Sequence, residues 1–147
     1  FSNLKKNNSI QGYNLLIVGD GLLQQSLQKR INSLNMSKYI NMIGRKNRND
    51  LIKFYNQSEI FVLSSISEGF PKVLLEAISC GCKVVSTNVG AVKCVLDNAT
   101  LVSPKNVEDL GIAIKQCISE ERKVEFDLNK FSWKSVREVY YNEYIKV

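Results

Sequence analysis

At 147 residues, 44 % of them hydrophobic and 23 % charged, the chain has the length and composition of one folded α/β domain, not of a disordered segment. Its longest apolar runs are strand-sized, too short for a membrane-spanning helix. The net charge of +6 comes without the interleaved aromatic and basic positions of a nucleic-acid platform, so no nucleic-acid partner is expected; it suits phosphorylated ligands or an anionic membrane surface, or simply aids solubility.

Strand and helix patterns alternate along the chain. Residues 13–18 form a strongly apolar strand that ends at Gly19, and Leu23, Leu27, Ile31 and Leu34 then mark one face of a helix. A second strand spans 39–43 and ends at Gly44, followed by a short helix over 49–56 and a third strand over 59–63. The next helix is predicted over 71–80, packing through Leu74, Ala77, Ile78 and Gly81. Strands over 83–86 and 100–102 follow. Asn106 is placed to cap a helix whose Val107, Leu110, Ile114 and Cys117 face inward. Residues 119–130 read as a charged connector, and Ser132 as the cap of a last helix with Trp133, Val136, Tyr140 and Tyr144 on one side.

There is no histidine, and Cys80, Cys82, Cys94 and Cys117 lack the spacing of a zinc site, so no metal ligands are assigned. Cys80 and Cys82 flank Gly81 between a helix and a strand, where small buried residues pack well. Unpaired thiols point to a reducing cytosol. The first residue is Phe1, no signal peptide is visible, and the chain is read as part of a longer one.

Parallel strands deliver their following loops to one edge of the sheet, where ligands of open α/β folds bind. Gly19-Asp20-Gly21, Gly44-Arg45-Lys46, residues 64–68 and residues 87–90 all fall there. The most informative stretch is Ser67-Glu68-Gly69-Phe70-Pro71-Lys72-Val73-Leu74-Leu75-Glu76-Ala77. Pro71 suits the first helical position, whose N–H has no intrahelical partner in any case. The amides of Lys72, Val73 and Leu74 then open a helix N-terminus, a seat for phosphate oxygens. Glu76 lies just over a turn further on, within reach of hydroxyls beside that phosphate. Gly19 and Gly21 would let backbone approach a ligand or simply make tight turns, and Arg45 would meet a base or phosphate or stay solvated. Ser64 and Ser65 read as loop structure.

The Glu-x7-Glu spacing in its Ser-Glu-Gly-Phe setting, with Val73-Leu74-Leu75-Glu76-Ala77 and Cys80-Gly81-Cys82-Lys83-Val84-Val85-Ser86-Thr87 after it, resembles the C-terminal domain of retaining GT-B glycosyltransferases. The glycogen-synthase-like enzymes and bacterial mannosyl- and glucosyltransferases form this group. The resemblance runs from Leu15-Leu16-Ile17-Val18-Gly19-Asp20-Gly21 through Ile60-Phe61-Val62-Leu63 to Asn88-Val89-Gly90-Ala91 and Phe131-Ser132-Trp133. It implies a Rossmann-like, doubly wound parallel sheet, the C-terminal half of a GT-B fold, over residues 1–147, with the acceptor domain upstream. It implies that Glu68 contacts the donor sugar, that Gly69, Phe70 and the amides that follow hold the diphosphate, and that Glu76 binds the ribose. Pro71 stands where many relatives have Gly, so one amide is missing from that cradle.

The activity so implied is metal-independent transfer of a hexose from a UDP- or GDP-sugar, with no cofactor, to a glycan, lipid-linked or small-molecule acceptor. The location implied is the cytoplasm, with peripheral contact at the cytosolic membrane surface compatible with the charge. A non-catalytic nucleotide- or sugar-phosphate-binding domain on the same fold is the alternative. A dinucleotide fingerprint fails, because position 24 is Gln and Gly44-Arg45 follows the second strand where an acid is needed. A doubly wound sheet places its first strand centrally. That strand is expected ahead of Phe1, so the strands at 13–18 and 59–63 should either pair directly or face each other across a gap.

Overall fold

The computed structural model describes residues 1–96 and 101–120, with the single positions 127, 129, 132 and 134. A short helix α1 (Ser2–Lys6) leads into β1 (Leu15–Val18), α2 (Gln24–Ser33), β2 (Ile40–Gly44), α3 (Arg48–Gln57) and β3 (Ile60–Leu63). Then come α4 (Lys72–Ser79), β4 (Lys83–Thr87), a 3-10 turn (Gly90–Cys94), β5 (Leu101–Val102) and α5 (Val107–Ser119). Boundaries lie within two residues of those read from sequence, the usual fraying at element ends. The predicted last helix and most of the connector lie outside the described residues.

Among the described residues every pairing is parallel: β1 with β2, β3 with β4, and β4 with β5. The strands form two sheets, β1-β2 and β3-β4-β5, and β1 does not pair with β3. Direct pairing of these two strands, one of the two arrangements expected, is not found. The Tyr13 hydroxyl bridges the sheets at their N-terminal ends, donating to the Glu59 carboxylate at 2.8 Å.

β4 is the centre of the core, and alternation along it fills both faces. Val84 packs with Leu63, Leu74, Ile78, Val92 and Leu96 on the α4 side. Val85 packs with Val102, Ala113 and Cys117 on the α5 side. Tyr55, Ala77 and Cys82 form a third cluster, with Phe61 meeting Tyr55 edge-to-face at 5.8 Å and Cys80 packed against it. The Cys82 thiol donates to the Tyr55 carbonyl at 3.2 Å, so Cys80 and Cys82 do pack as small residues.

Two readings of helix faces need correction. Gly81 is not on the packing face of α4. With φ +84 it ends the helix, its N–H donating to Ile78 and that of Cys82 to Ala77, the double closure a left-handed residue permits. Val107 is 75 % exposed, because it opens α5 ahead of the turn that docks on β4. On α2 only Ile31 is buried, while Leu23 and Leu27 face solvent. Asn106 does cap α5, accepting from the Asp109 amide at 3.0 Å, and Asn47 caps α3 in the same way, a cap the sequence reading passed over.

Candidate functional site

The C-terminal ends of the strands carry the loops singled out from sequence, in two groups. On the first sheet, Gly19 and Gly44 end β1 and β2, and the Gly19 N–H donates to the Gly44 carbonyl at 2.9 Å. Gly21 and Arg45 beside them are exposed. On the second sheet, the 64–71 loop runs from β3 into α4 and carries the glutamate run.

Pro71 does not occupy the first helical position. It is the cap residue one place earlier, extended at ψ 92, and α4 begins at Lys72. Its carbonyl accepts the Leu74 N–H at 3.0 Å in a tight first turn, which keeps the ring outside the helix. Leu74's amide is therefore used internally and its side chain is fully buried. Gly69, Phe70, Lys72 and Val73 are exposed, and the amides of Lys72 and Val73 open the positive end of the helix.

The two glutamates are held differently. Glu68 is half-buried, and its Oε1 accepts from the Ser65 hydroxyl at 2.7 Å, a short charge-assisted bond. Glu76 is half-buried on α4, and its Oε2 lies 3.4 Å from the buried Tyr55 hydroxyl, at the loose end of hydrogen-bond range. Burial of Tyr55, with the nearby Glu76 charge, pushes the tyrosine pKa up to about 12. A loosely held carboxylate on the first exposed turns of a helix can turn toward an incoming hydroxyl.

Sequence reasoning placed residues 87–90 on the ligand edge but missed that they hold the Glu68 loop. Thr87, at the end of β4 and 3 % exposed, donates to the carbonyls of Ser65 at 2.6 Å and Leu63 at 3.3 Å. Gly90, at φ +52, lies flat against the loop, and a Cβ there would collide with the carbonyls of Glu68 and Gly69. The next amide, Ala91, donates to the Gly69 carbonyl at 3.0 Å. The available signal was two hydroxyl residues, Ser86 and Thr87, closing an otherwise apolar strand; Tyr55 had none. Among the described residues no cluster of three or more His, Cys, Asp or Glu could hold a metal ion, and no helix is long and apolar enough to cross a membrane.

The parallel α/β arrangement is that of the Rossmann-like C-terminal half of GT-B glycosyltransferases. Residues 1–131 match the family described as "Glycosyl transferases group 1", and the chain belongs to that family. An uncharacterized glycosyltransferase of Methanocaldococcus jannaschii is 33 % identical over 143 residues, covering 87 % of this chain and 40 % of the relative. The UDP-Gal:alpha-D-GlcNAc-diphosphoundecaprenol alpha-1,3-galactosyltransferase of Escherichia coli is 34 % identical over 94 residues, 63 % of this chain and 24 % of that enzyme. Among solved structures, Anabaena HepE in complex with UDP-glucose superposes with a TM-score of 0.68 at 21 % identity, covering 79 % of this chain and 34 % of HepE. The chain thus spans less than half the length of each of these relatives.

Proposed function

We propose that this chain is the donor-binding half of a retaining hexosyltransferase, with the acceptor bound by a domain outside it. The observation that carries the reading is the exposed start of α4, with one half-buried carboxylate before it and another one turn inside it. The diphosphate of a nucleotide sugar would lie over Gly69 and Phe70 and against the amides of Lys72 and Val73; Pro71, assigned to the cradle from sequence, is buried and would shape the turn beneath it. Leu74, assigned to the same cradle from sequence, would support it through its turn to Pro71. Glu68 would accept hydroxyls of the sugar and Glu76 those of the ribose. Gly19, Gly21 and Arg45 would meet the nucleotide from the first sheet.

In this reading the protein orients the donor and stabilises negative charge on the departing diphosphate. The helix dipole and the Lys72 ammonium supply that stabilisation without a divalent cation. A UDP-sugar is the favoured donor, since HepE was solved with UDP-glucose and the Escherichia coli relative is named for UDP-Gal; a GDP-sugar fits the same phosphate chemistry. The acceptor would be a glycan, a lipid-linked sugar or a small molecule, and the positive charge would favour an anionic surface carrying it.

Screening the intact protein against a panel of UDP- and GDP-hexoses tests the reading. One donor should turn over, and Glu68→Ala should reduce that turnover more than it reduces nucleoside diphosphate affinity, because its partner is the sugar. Binding without turnover on any donor would favour a non-catalytic domain, and equal losses for the diphosphate and the sugar nucleotide would make Glu68 structural.

A further inference from the structure

Ser65 and Thr87 form a relay that ends on the Glu68 carboxylate, and neither residue has a place in the donor contacts proposed above. Thr87 is a polar residue at the end of the central, fully covered strand. A valine would fill that space without the cost of burying a hydroxyl. Its hydroxyl is used: at 2.6 Å it holds the carbonyl of Ser65, two residues past the end of β3. With its backbone so held, Ser65 aims its own hydroxyl at Glu68 Oε1, 2.7 Å away. The far side of the loop is fixed too, by the flat contact of Gly90 and the Ala91 bond to Gly69. The segment from Thr87 to Ala91 thus fixes the loop that carries Glu68 from both sides.

We propose that Ser65, held by Thr87, is a positioning residue that fixes the Glu68 carboxylate in the orientation needed to meet the transferred sugar. The proposal rests on the donor-site reading, in which Glu68 touches that sugar. A carboxylate on an irregular loop samples several rotamers, and a short hydrogen bond from a fixed hydroxyl selects one of them. Leu63 and Thr87 lie on regular strands, so the rigidity of the sheet passes to the loop in two hydrogen bonds.

The test uses the intact protein with the UDP- or GDP-hexose that supports turnover, and UDP and GDP as binding probes. Ser65→Ala should lower kcat about ten-fold while leaving UDP or GDP affinity within about two-fold, because a hydrogen bond to a charged group is lost but no nucleotide contact is. Ser65→Thr, which keeps the hydroxyl, should recover most of the rate. Thr87→Val should resemble Ser65→Ala, and Thr87→Ser should resemble the parent. In a Glu68→Ala background the Ser65→Ala change should have no further effect, since the group it positions is gone. Unchanged kcat in Ser65→Ala while Glu68→Ala remains impaired would overturn the relay and leave the donor-site reading standing. Equal losses from Ser65→Ala with and without Glu68, or a fall in nucleotide affinity matching the fall in kcat, would make Ser65 a structural residue only. A Glu68→Ala protein that turns over normally would instead remove the donor-site role of Glu68, and the relay with it.

Discussion

The two sheets follow the same strand–helix–strand plan and differ in how well it is covered. In the second sheet, β4 has a strand on each side and a helix on each face, and Val84 and Val85 are both fully buried. In the first, β1 is just as apolar, Leu-Leu-Ile-Val, yet Leu16 and Val18 remain exposed and α2 buries only Ile31. A continuous apolar strand is the pattern of one buried on both faces. Among the described residues, β4 has the neighbours that pattern needs and β1 pairs with β2 alone. The glutamate run hangs on the covered sheet, so the residues proposed to meet sugar and diphosphate stand on the rigid part of the molecule, where fine positioning is available.

That contrast can be broken by substitution. The largest difference should come from matched leucines: Leu74→Ala, in the core under α4, should cost about 2–5 kcal/mol. Leu27→Ala, on the exposed face of α2, should cost about 0.5 kcal/mol or less. Denaturant unfolding of the two variants measures both, and equal costs would erase the distinction between the sheets.

A second comparison concerns charge. The Lys83 ammonium donates to the carbonyls of Cys117 at 3.1 Å and Glu120 at 2.6 Å and lies 3.3 Å from Glu59, closing the C-terminal end of α5. Lys83→Met should cost about 1–2 kcal/mol, as expected for a cation on the last carbonyls of a helix.

Tyr55 gives the comparison a pH axis. Its pKa is raised to about 12 by burial, then by the Glu76 charge and hydrogen bond, above the value near 10 of an unfolded tyrosine. The folded state therefore favours the protonated phenol. That stabilisation is complete below about pH 10 and is lost as pH climbs toward about 12. Stability followed by thermal melts should fall more steeply across this window in the parent than in Tyr55→Phe. Identical slopes would show that the Tyr55 hydroxyl is not buried beside Glu76 as the structure has it.

The smallest effect belongs to α3. Lys53 pairs with Asp50 at 3.0 Å but is 71 % exposed, and Lys53→Met should change stability by about 0.5 kcal/mol or less. A loss as large as that from Lys83→Met would mean that exposed pairs matter here as much as covered ones.

The element order, the parallel alternation and the position of the glutamate run were legible in the sequence, because apolar periodicity and the Gly-Phe-Pro turn are local signals. Inward-facing helix positions were legible where a partner layer is described, as for Leu74, Ala77 and Ile78, whereas the apolar face marked by Leu23 and Leu27 is exposed among the described residues. Periodicity reports which face is apolar and not whether something covers it. Pro71 could have stood at the cap or at the first helical position, since its fixed φ suits both, and the carbonyl turned to Leu74 decided between them. The Thr87–Ser65 and Tyr55–Glu76 contacts join residues 22 and 21 positions apart on different elements, and only the packed fold brings them together; the Ser65–Glu68 bond, three positions apart in one loop, depends on a loop shape that Thr87 sets.

The central claim is that the start of α4 and its glutamates receive a nucleoside diphosphate, and calorimetric titration of UDP and of GDP into the parent and into Glu76→Ala tests it most directly. At least one of the two should bind the parent, and Glu76→Ala should weaken that binding by about 1–3 kcal/mol through the loss of hydrogen bonds to the ribose. Equal affinity in the two proteins would take Glu76 out of the site and contradict the account.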